Sequence, residues 1–239
     1  MKPFTIDIYS DGAVISDMLK MKEQGLVTGF TTNPSLMKQA GISDYMAFAE
    51  EALAKVEGLP ISFEVFADDF DTMEQEALKL ASLGDNVYVK IPICNTLGES
   101  SVPVIRRLSE QGLKLNVTAI MTIQQVEDTV EAFAEGTTNI VSVFAGRVAD
   151  TGVDPEPLMA QALQICRKKE GTHLLWASSR EVFNIVQAQQ LGVDIITVTP
   201  ALLDKLSMYQ MDLNQLSLDT VKMFNRDIQA LGFSILSTE

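Results

Sequence analysis

Asn86-Val87-Tyr88-Val89-Lys90-Ile91-Pro92 is the stretch that decides how this chain folds. Its aliphatic residues Val87, Val89 and Ile91 alternate with Tyr88 and Lys90, the period-two pattern of a β-strand. In a sheet covered by helices the aliphatic set faces the helices. Tyr88 and Lys90 then point the other way, into whatever space the strands enclose.

Working outward, seven further runs read as strands: Thr5–Ser10, Val27–Phe30, Ile61–Phe66, Lys114–Thr118, Ile140–Phe144, His173–Ala177 and Ile195–Val198. Between them lie amphipathic segments such as Asp71–Leu83, Val126–Phe133, Pro155–Lys169 and Arg180–Leu191, with apolar residues every three or four positions. Eight strands alternating with helices over 239 residues predict an α/β chain folded as a (β/α)8 TIM barrel, which typically takes about 250 residues. A doubly wound sheet would carry a Gly-rich loop after its first strand, and Ser10-Asp11-Gly12-Ala13 is not one. Residues 213–231 form one helix beyond the eight, an additional C-terminal helix. Its apolar Val221, Phe224, Ile228 and Leu231 need cover from the barrel or from a neighbouring subunit. With no linker or charge block to divide it, residues 1–239 read as a single barrel domain carrying that extra helix.

Composition narrows the function. Eighteen basic against 32 acidic residues give a net charge of −14, which disfavours nucleic acid or an anionic membrane as partner. No apolar run approaches the roughly 20 residues of a transmembrane helix, and the start lacks a signal-peptide core, so a cytoplasmic protein is expected. Two cysteines, Cys94 and Cys166, make neither a disulfide framework nor a zinc knuckle. One histidine, His173, rules out a multi-histidine metal site. The expected chemistry uses carboxylates, lysine, arginine and hydroxyls, without metal or organic cofactor.

Alternation sends Glu64 of Phe63-Glu64-Val65 inward, together with Asn116 and Thr118 of the fifth strand and Ser142 and Phe144 of the sixth. Asp11 lies just past the first strand, and Ser178 falls at the end of the seventh. These positions, with Lys90, cluster at the carboxyl ends of their strands, where barrel active sites are built. Buried polar groups must pair with one another, with water or with a ligand. A lysine in a desolvated interior has its ammonium form disfavoured, which frees the amine as a nucleophile toward a ketone or aldehyde. The resulting imine draws electrons from a neighbouring carbon–carbon bond. Asp11 could then take the hydroxyl proton of a retro-aldol cleavage, Asn33, Asn116 and Ser142 could cradle the bound triose, and Glu64 with Thr118 could hold a proton-shuttling water.

Five ordered blocks carry a resemblance. Gly29-Phe30-Thr31-Thr32-Asn33-Pro34-Ser35 is similar to the Thr-Thr-Asn-Pro-Ser signature of transaldolases and fructose-6-phosphate aldolases. Asn86–Pro92 resembles their Schiff-base strand. Asn116-Val117-Thr118-Ala119-Ile120, Ser142-Val143-Phe144-Ala145-Gly146-Arg147-Val148 and Ala177-Ser178-Ser179-Arg180 resemble three more of their blocks. The resemblance implies a class I aldolase-type barrel in which Lys90 forms the imine and Asp11 is the general acid/base. Asn33 and Asn116 would contact the triose, Glu64 and Thr118 would hold the catalytic water, and Arg147 and Arg180 with Ser178 would bind phosphate. Sugar phosphates are the implied substrates. A homo-oligomer that exchanges the terminal helix is the implied assembly, with a decamer as candidate size.

Two positions separate the branches of this family. The aldolase branch carries Gln where this chain has Glu64 and Tyr where it has Phe144. Both place the chain with the transaldolases, which transfer dihydroxyacetone between a ketose phosphate and an aldose phosphate. The alternatives are an aldolase releasing free dihydroxyacetone, an enzyme for a modified sugar, and a non-catalytic sugar-phosphate-binding barrel. The run Pro92-Ile93-Cys94-Asn95-Thr96-Leu97-Gly98 departs from the family pattern, with Cys94 at the usual Thr place and expected as a small packed side chain.

Overall fold

The computed structural model describes residues 4–232 and 235–236. Eight parallel strands are present: β1 (Asp7–Asp11), β2 (Gly29–Thr31), β3 (Ile61–Glu64), β4 (Val87–Pro92), β5 (Leu115–Ile120), β6 (Asn139–Val143), β7 (Thr172–Trp176) and β8 (Ile195–Val198). They pair in chain order, and β1 closes onto β8. The helices between and after them are α1 (Ile15–Glu23), α2 (Pro34–Gln39), α3 (Tyr45–Val56), α4 (Phe70–Ala81), α5 (Val102–Glu110) and α6 (Ile123–Ala132). They continue with α7 (Ala145–Asp150), α8 (Glu156–Cys166), α9 (Phe183–Leu191) and α10 (Pro200–Asp204). The architecture is the (β/α)8 TIM barrel.

The alternation predicted from sequence is present. Val87, Val89, Ile91, Val117, Val141 and Val143 are buried. Tyr9, Ile140, Leu175, Ala177 and Ile195 instead meet one another with Tyr88 and Phe144, and residues from such distant strands can meet only inside the barrel. Each fully buried aliphatic or aromatic side chain contributes about 1.5–3 kcal/mol to folding.

Element ends differ from the sequence reading for local reasons. β3 stops at Glu64, short of the expected Phe66, because the Phe66 and Ala67 amides leave the ladder to donate to the Glu76 carboxylate. α6 starts earlier than expected, at Ile123, through a capping box in which Thr122 and Gln125 satisfy each other's backbone amides. α9 begins at Phe183 and excludes Arg180, whose amide donates to Asn184 Oδ1 at 2.7 Å.

The chain divides into two compact units, one running to Leu203 and the other from Asp204 onward. The second unit contains α11 (Leu213–Leu231), with the predicted bounds. None of its residues is buried, and Val221, Phe224, Ile228 and Leu231 are exposed. Among the described residues no helix is long and apolar enough to cross a membrane.

Candidate active site

Strand register builds the site. Glu64 on β3 pairs with Lys90 on β4, and Lys90 in turn with Asn116 on β5, so three polar side chains stand in one row. Asp11 ends β1 beside Thr31 of β2. Asp11, Thr31, Glu64 and Lys90 line a pocket of about 480 Å³ at the carboxyl end of the barrel. Of the candidates proposed from sequence, Asp11, Asn33, Glu64, Lys90, Thr118, Ser142, Phe144, Arg147 and Ser178 line it.

Lys90 is buried, with 6% of its surface exposed. Its Nζ donates to the Thr32 carbonyl at 2.7 Å and lies 2.9 Å from Glu64 Oε2. Asp11 Oδ1 accepts from Thr31 Oγ1 at 2.8 Å, and the Thr31 hydroxyl also meets that of Thr197. Loss of solvent holds the Asp11 carboxyl above the usual carboxylate range. Lys90 and hydrogen bonds from Thr31 and Asn33 oppose that rise, and Glu64 adds to it.

Thr118 is buried, and its Oγ1 has no hydrogen-bond partner among the described residues. It sits where β5 slips register against β6 between Val117 and Ile120, with Ala119 in the left-handed region at φ 61°. Such bulges re-aim side chains near functional sites. Asn33 lines the pocket while capping α2, its Oδ1 accepting from the Leu36 amide at 3.0 Å.

Asn116 is the first candidate that does not reach the cavity. It is fully buried, donating to Ser62 Oγ at 3.0 Å and accepting from Ser142 Oγ at 2.6 Å. Ser142, not Asn116, presents this pair to the pocket.

Arg147, on α7, lies over the Phe144 ring with its guanidinium carbon 5.6 Å from the centroid. Ser178, just past β7, adopts φ 63°, and its carbonyl oxygen occupies the space over Gly146. A Cβ on Gly146 would fall 1.6 Å from that oxygen, so only glycine fits there. Arg180 is the second candidate outside the cavity lining. Its guanidinium forks onto Asp150, with Nη2 on Oδ2 and Nε 3.3 Å from Oδ1.

Thr31, Thr32 and Thr197 take part in the site without having been assigned a role from sequence. Thr31 and Thr32 belong to the quoted Thr-Thr-Asn-Pro-Ser run, and alternation with Ile196 and Val198 would have turned Thr197 inward. Cys94 corrects an expectation: it is exposed, lying beyond the end of β4 in an irregular loop where it bridges to Ser100. It borders a neighbouring hollow that shares Pro34 and Glu64 with the main pocket. Among the described residues no cluster of His, Cys, Asp and Glu could hold a metal ion.

Known proteins resemble this chain along most of its length. A "probable transaldolase" of Methanococcus maripaludis is 35% identical over 199 residues, covering 83% of this chain and 88% of the relative. One of Ruegeria sp. is 34% identical over 230 residues, 95% and 99% of the two chains. A solved structure of a candidate lyase/mutase from Burkholderia cenocepacia has a TM-score of 0.59 at 14% identity, covering 87% of this chain and 84% of that one, and shares the fold alone. The family described as Transaldolase/Fructose-6-phosphate aldolase matches residues 8–235, and the chain belongs to it.

Proposed function

We propose that the chain is a transaldolase that transfers a dihydroxyacetone unit from a ketose phosphate to an aldose phosphate through an imine on Lys90. The observation that carries this reading is the buried Lys90 ammonium, held between Glu64 and the Thr32 carbonyl and facing the same pocket as Asp11. Lys90 passes a proton to Glu64, and the free amine adds to the ketose C2 carbonyl. Loss of water as the carbinolamine becomes an imine is assisted by Glu64 and a water held against Thr118, whose hydroxyl makes no hydrogen bond among the described residues. Asp11 then accepts the C4 hydroxyl proton while the C3–C4 bonding pair moves into the protonated imine. The aldose phosphate leaves and an enamine stays on Lys90. An acceptor aldehyde reverses the steps.

Asn33 and the Asn116–Ser142 pair are assigned to the triose hydroxyls, and Arg147, Arg180 and Ser178 to the phosphate, which suits the guanidinium fork. Phe144 offers no proton to the enamine, which favours transfer over release. Fructose 6-phosphate or sedoheptulose 7-phosphate is the donor on this reading, and erythrose 4-phosphate or glyceraldehyde 3-phosphate the acceptor. The uncovered apolar face of α11 supports a homo-oligomer in which that helix packs on another copy, with a ten-subunit ring as the expected size.

The test is product analysis with fructose 6-phosphate, with and without erythrose 4-phosphate, for wild type and Lys90→Ala. Sedoheptulose 7-phosphate should appear only with acceptor and wild-type Lys90. Free dihydroxyacetone without acceptor would move the chain to the aldolase branch. Saturable binding without turnover, unaffected by Lys90→Ala, would make it a sugar-phosphate-binding barrel.

A further inference from the structure

The guanidinium of Arg180 already holds an anion, and that anion belongs to the protein. Arg180 follows β7, and its stem passes close to Gly146, with Cγ 3.4 Å from where a side chain there would begin. Beyond that point the fork closes on Asp150 through Nε and Nη2. Asp150 ends α7, one helical turn after Arg147, yet it takes the distant Arg180 instead of its own neighbour. Arg147 stays over Phe144 and lines the pocket, making no ion pair among the described residues. At the rim, then, one arginine faces the cavity and the other is turned to a carboxylate. Both ends of that pair are about half exposed, at 50% and 55%, so it is weak enough to exchange.

We propose that Asp150 is an affinity-setting residue of the phosphate subsite: it competes with the substrate phosphate for Arg180, so that phosphate binding is an exchange of one anion for another. The inference rests on the assignment of Arg147 and Arg180 to phosphate. A dianionic phosphate gains from both arginines and displaces the single carboxylate. When the aldose phosphate leaves, Asp150 reclaims Arg180 and the rim returns to its starting charge. A transfer reaction needs such turnover, because one sugar phosphate must depart from the subsite before the next can enter it. Asp150 thus trades binding strength for exchange, and its removal should tighten phosphate.

The experiment measures the dissociation constant of inorganic phosphate for the intact protein by titration, and KM for fructose 6-phosphate, in wild type, Asp150→Asn and Asp150→Ser. Both constants should fall about two- to five-fold in either variant, as expected for release from a half-exposed ion pair, with unfolding temperature unchanged. In an Arg180→Ala background, Asp150→Asn should leave the phosphate constant where it is. Unchanged constants in the single variants would overturn the proposal. Raised constants would overturn it too, and would make Asp150 a residue that positions Arg180 for phosphate. If Arg147→Ala and Arg180→Ala both leave phosphate binding at the wild-type level, the phosphate assignment itself fails and this inference with it.

Discussion

Glu64 and Lys90 are register partners on adjacent strands, and their side chains meet with Oε2 2.9 Å from Nζ inside the barrel mouth. A buried ion pair of this kind is weak evidence for stability, since desolvation offsets most of its attraction. In the proposed mechanism its value lies in chemistry: the group that would lose a proton is in contact with one that can receive it.

Asp11 is held above the usual carboxylate range mainly by loss of solvent. The folded protein therefore binds its proton more tightly than the unfolded chain does, and stability falls as pH rises from the ordinary value of 3.8 through the folded one. Asp11→Asn removes the titrating group. Thermal unfolding from pH 4 to 8 should show the variant gaining on wild type as pH rises, while transfer activity is lost. Wild type gaining on the variant as pH rises would contradict this sign.

Thr31 donates to Asp11 and so favours its ionised form. Thr31→Val should raise the Asp11 pKa further and move the acid limb of the kcat profile to higher pH. A drop of about ten-fold in kcat is expected, in line with a hydrogen bond to a charged group. Thr31→Ser keeps the donor and should restore the profile. If Thr31→Val lowers kcat without moving the limb, the residue acts only through packing.

Gly146 has no room for a methyl group, because the Ser178 carbonyl stands over it. Gly146→Ala must push the β7–α9 turn away from α7, separating Ser178 and Arg180 from Arg147. KM for fructose 6-phosphate should rise by about ten-fold or more, while borohydride trapping of dihydroxyacetone on Lys90 is retained. Overpacking of this kind costs about 1–3 kcal/mol of stability, which calorimetry will detect. An unaltered KM would show that the turn does not set the phosphate subsite.

In the proposed mechanism, Phe144→Tyr places a hydroxyl beside the enamine. Release of free dihydroxyacetone from fructose 6-phosphate in the absence of acceptor should increase. No change in that rate would sink the account of why the enamine waits.

Removal of residues 213–239 tests the assembly. Light scattering should give a smaller subunit number for the truncated chain, since the exposed face of Val221, Phe224, Ile228 and Leu231 is gone. The same subunit number before and after would refute assembly through α11.

Much of the barrel was legible because it rests on two periodicities. Alternation in Val87–Ile91 fixed the side of Lys90, and the same rule oriented Glu64, Thr118, Ser142 and Phe144 correctly. It also sent Asn116 inward, but it could not tell that Ser62 and Ser142 satisfy it short of the cavity. Loops have no period. The direction of Arg180 depends on its partner Asp150, and the exposure of Cys94 on the path of an irregular turn. Helix starts were missed where side-chain caps decide them: Thr122 with Gln125, and Asn184 holding the amide of Arg180.

The closure of β1 onto β8 has a consequence for how the protein comes into being. Asp7 pairs with Ile195, so the ring is finished only when nearly the whole barrel has been synthesised. Until then Thr31, which donates to Asp11, lacks the Thr197 hydroxyl that it meets in the closed barrel. Sequence-distant pairings of this sort form late and slowly. In the proposed mechanism, a nascent or truncated chain ending before β8 therefore carries Lys90 beside an acid/base site that is still incomplete, and carbon–carbon bond cleavage switches on with the last strand.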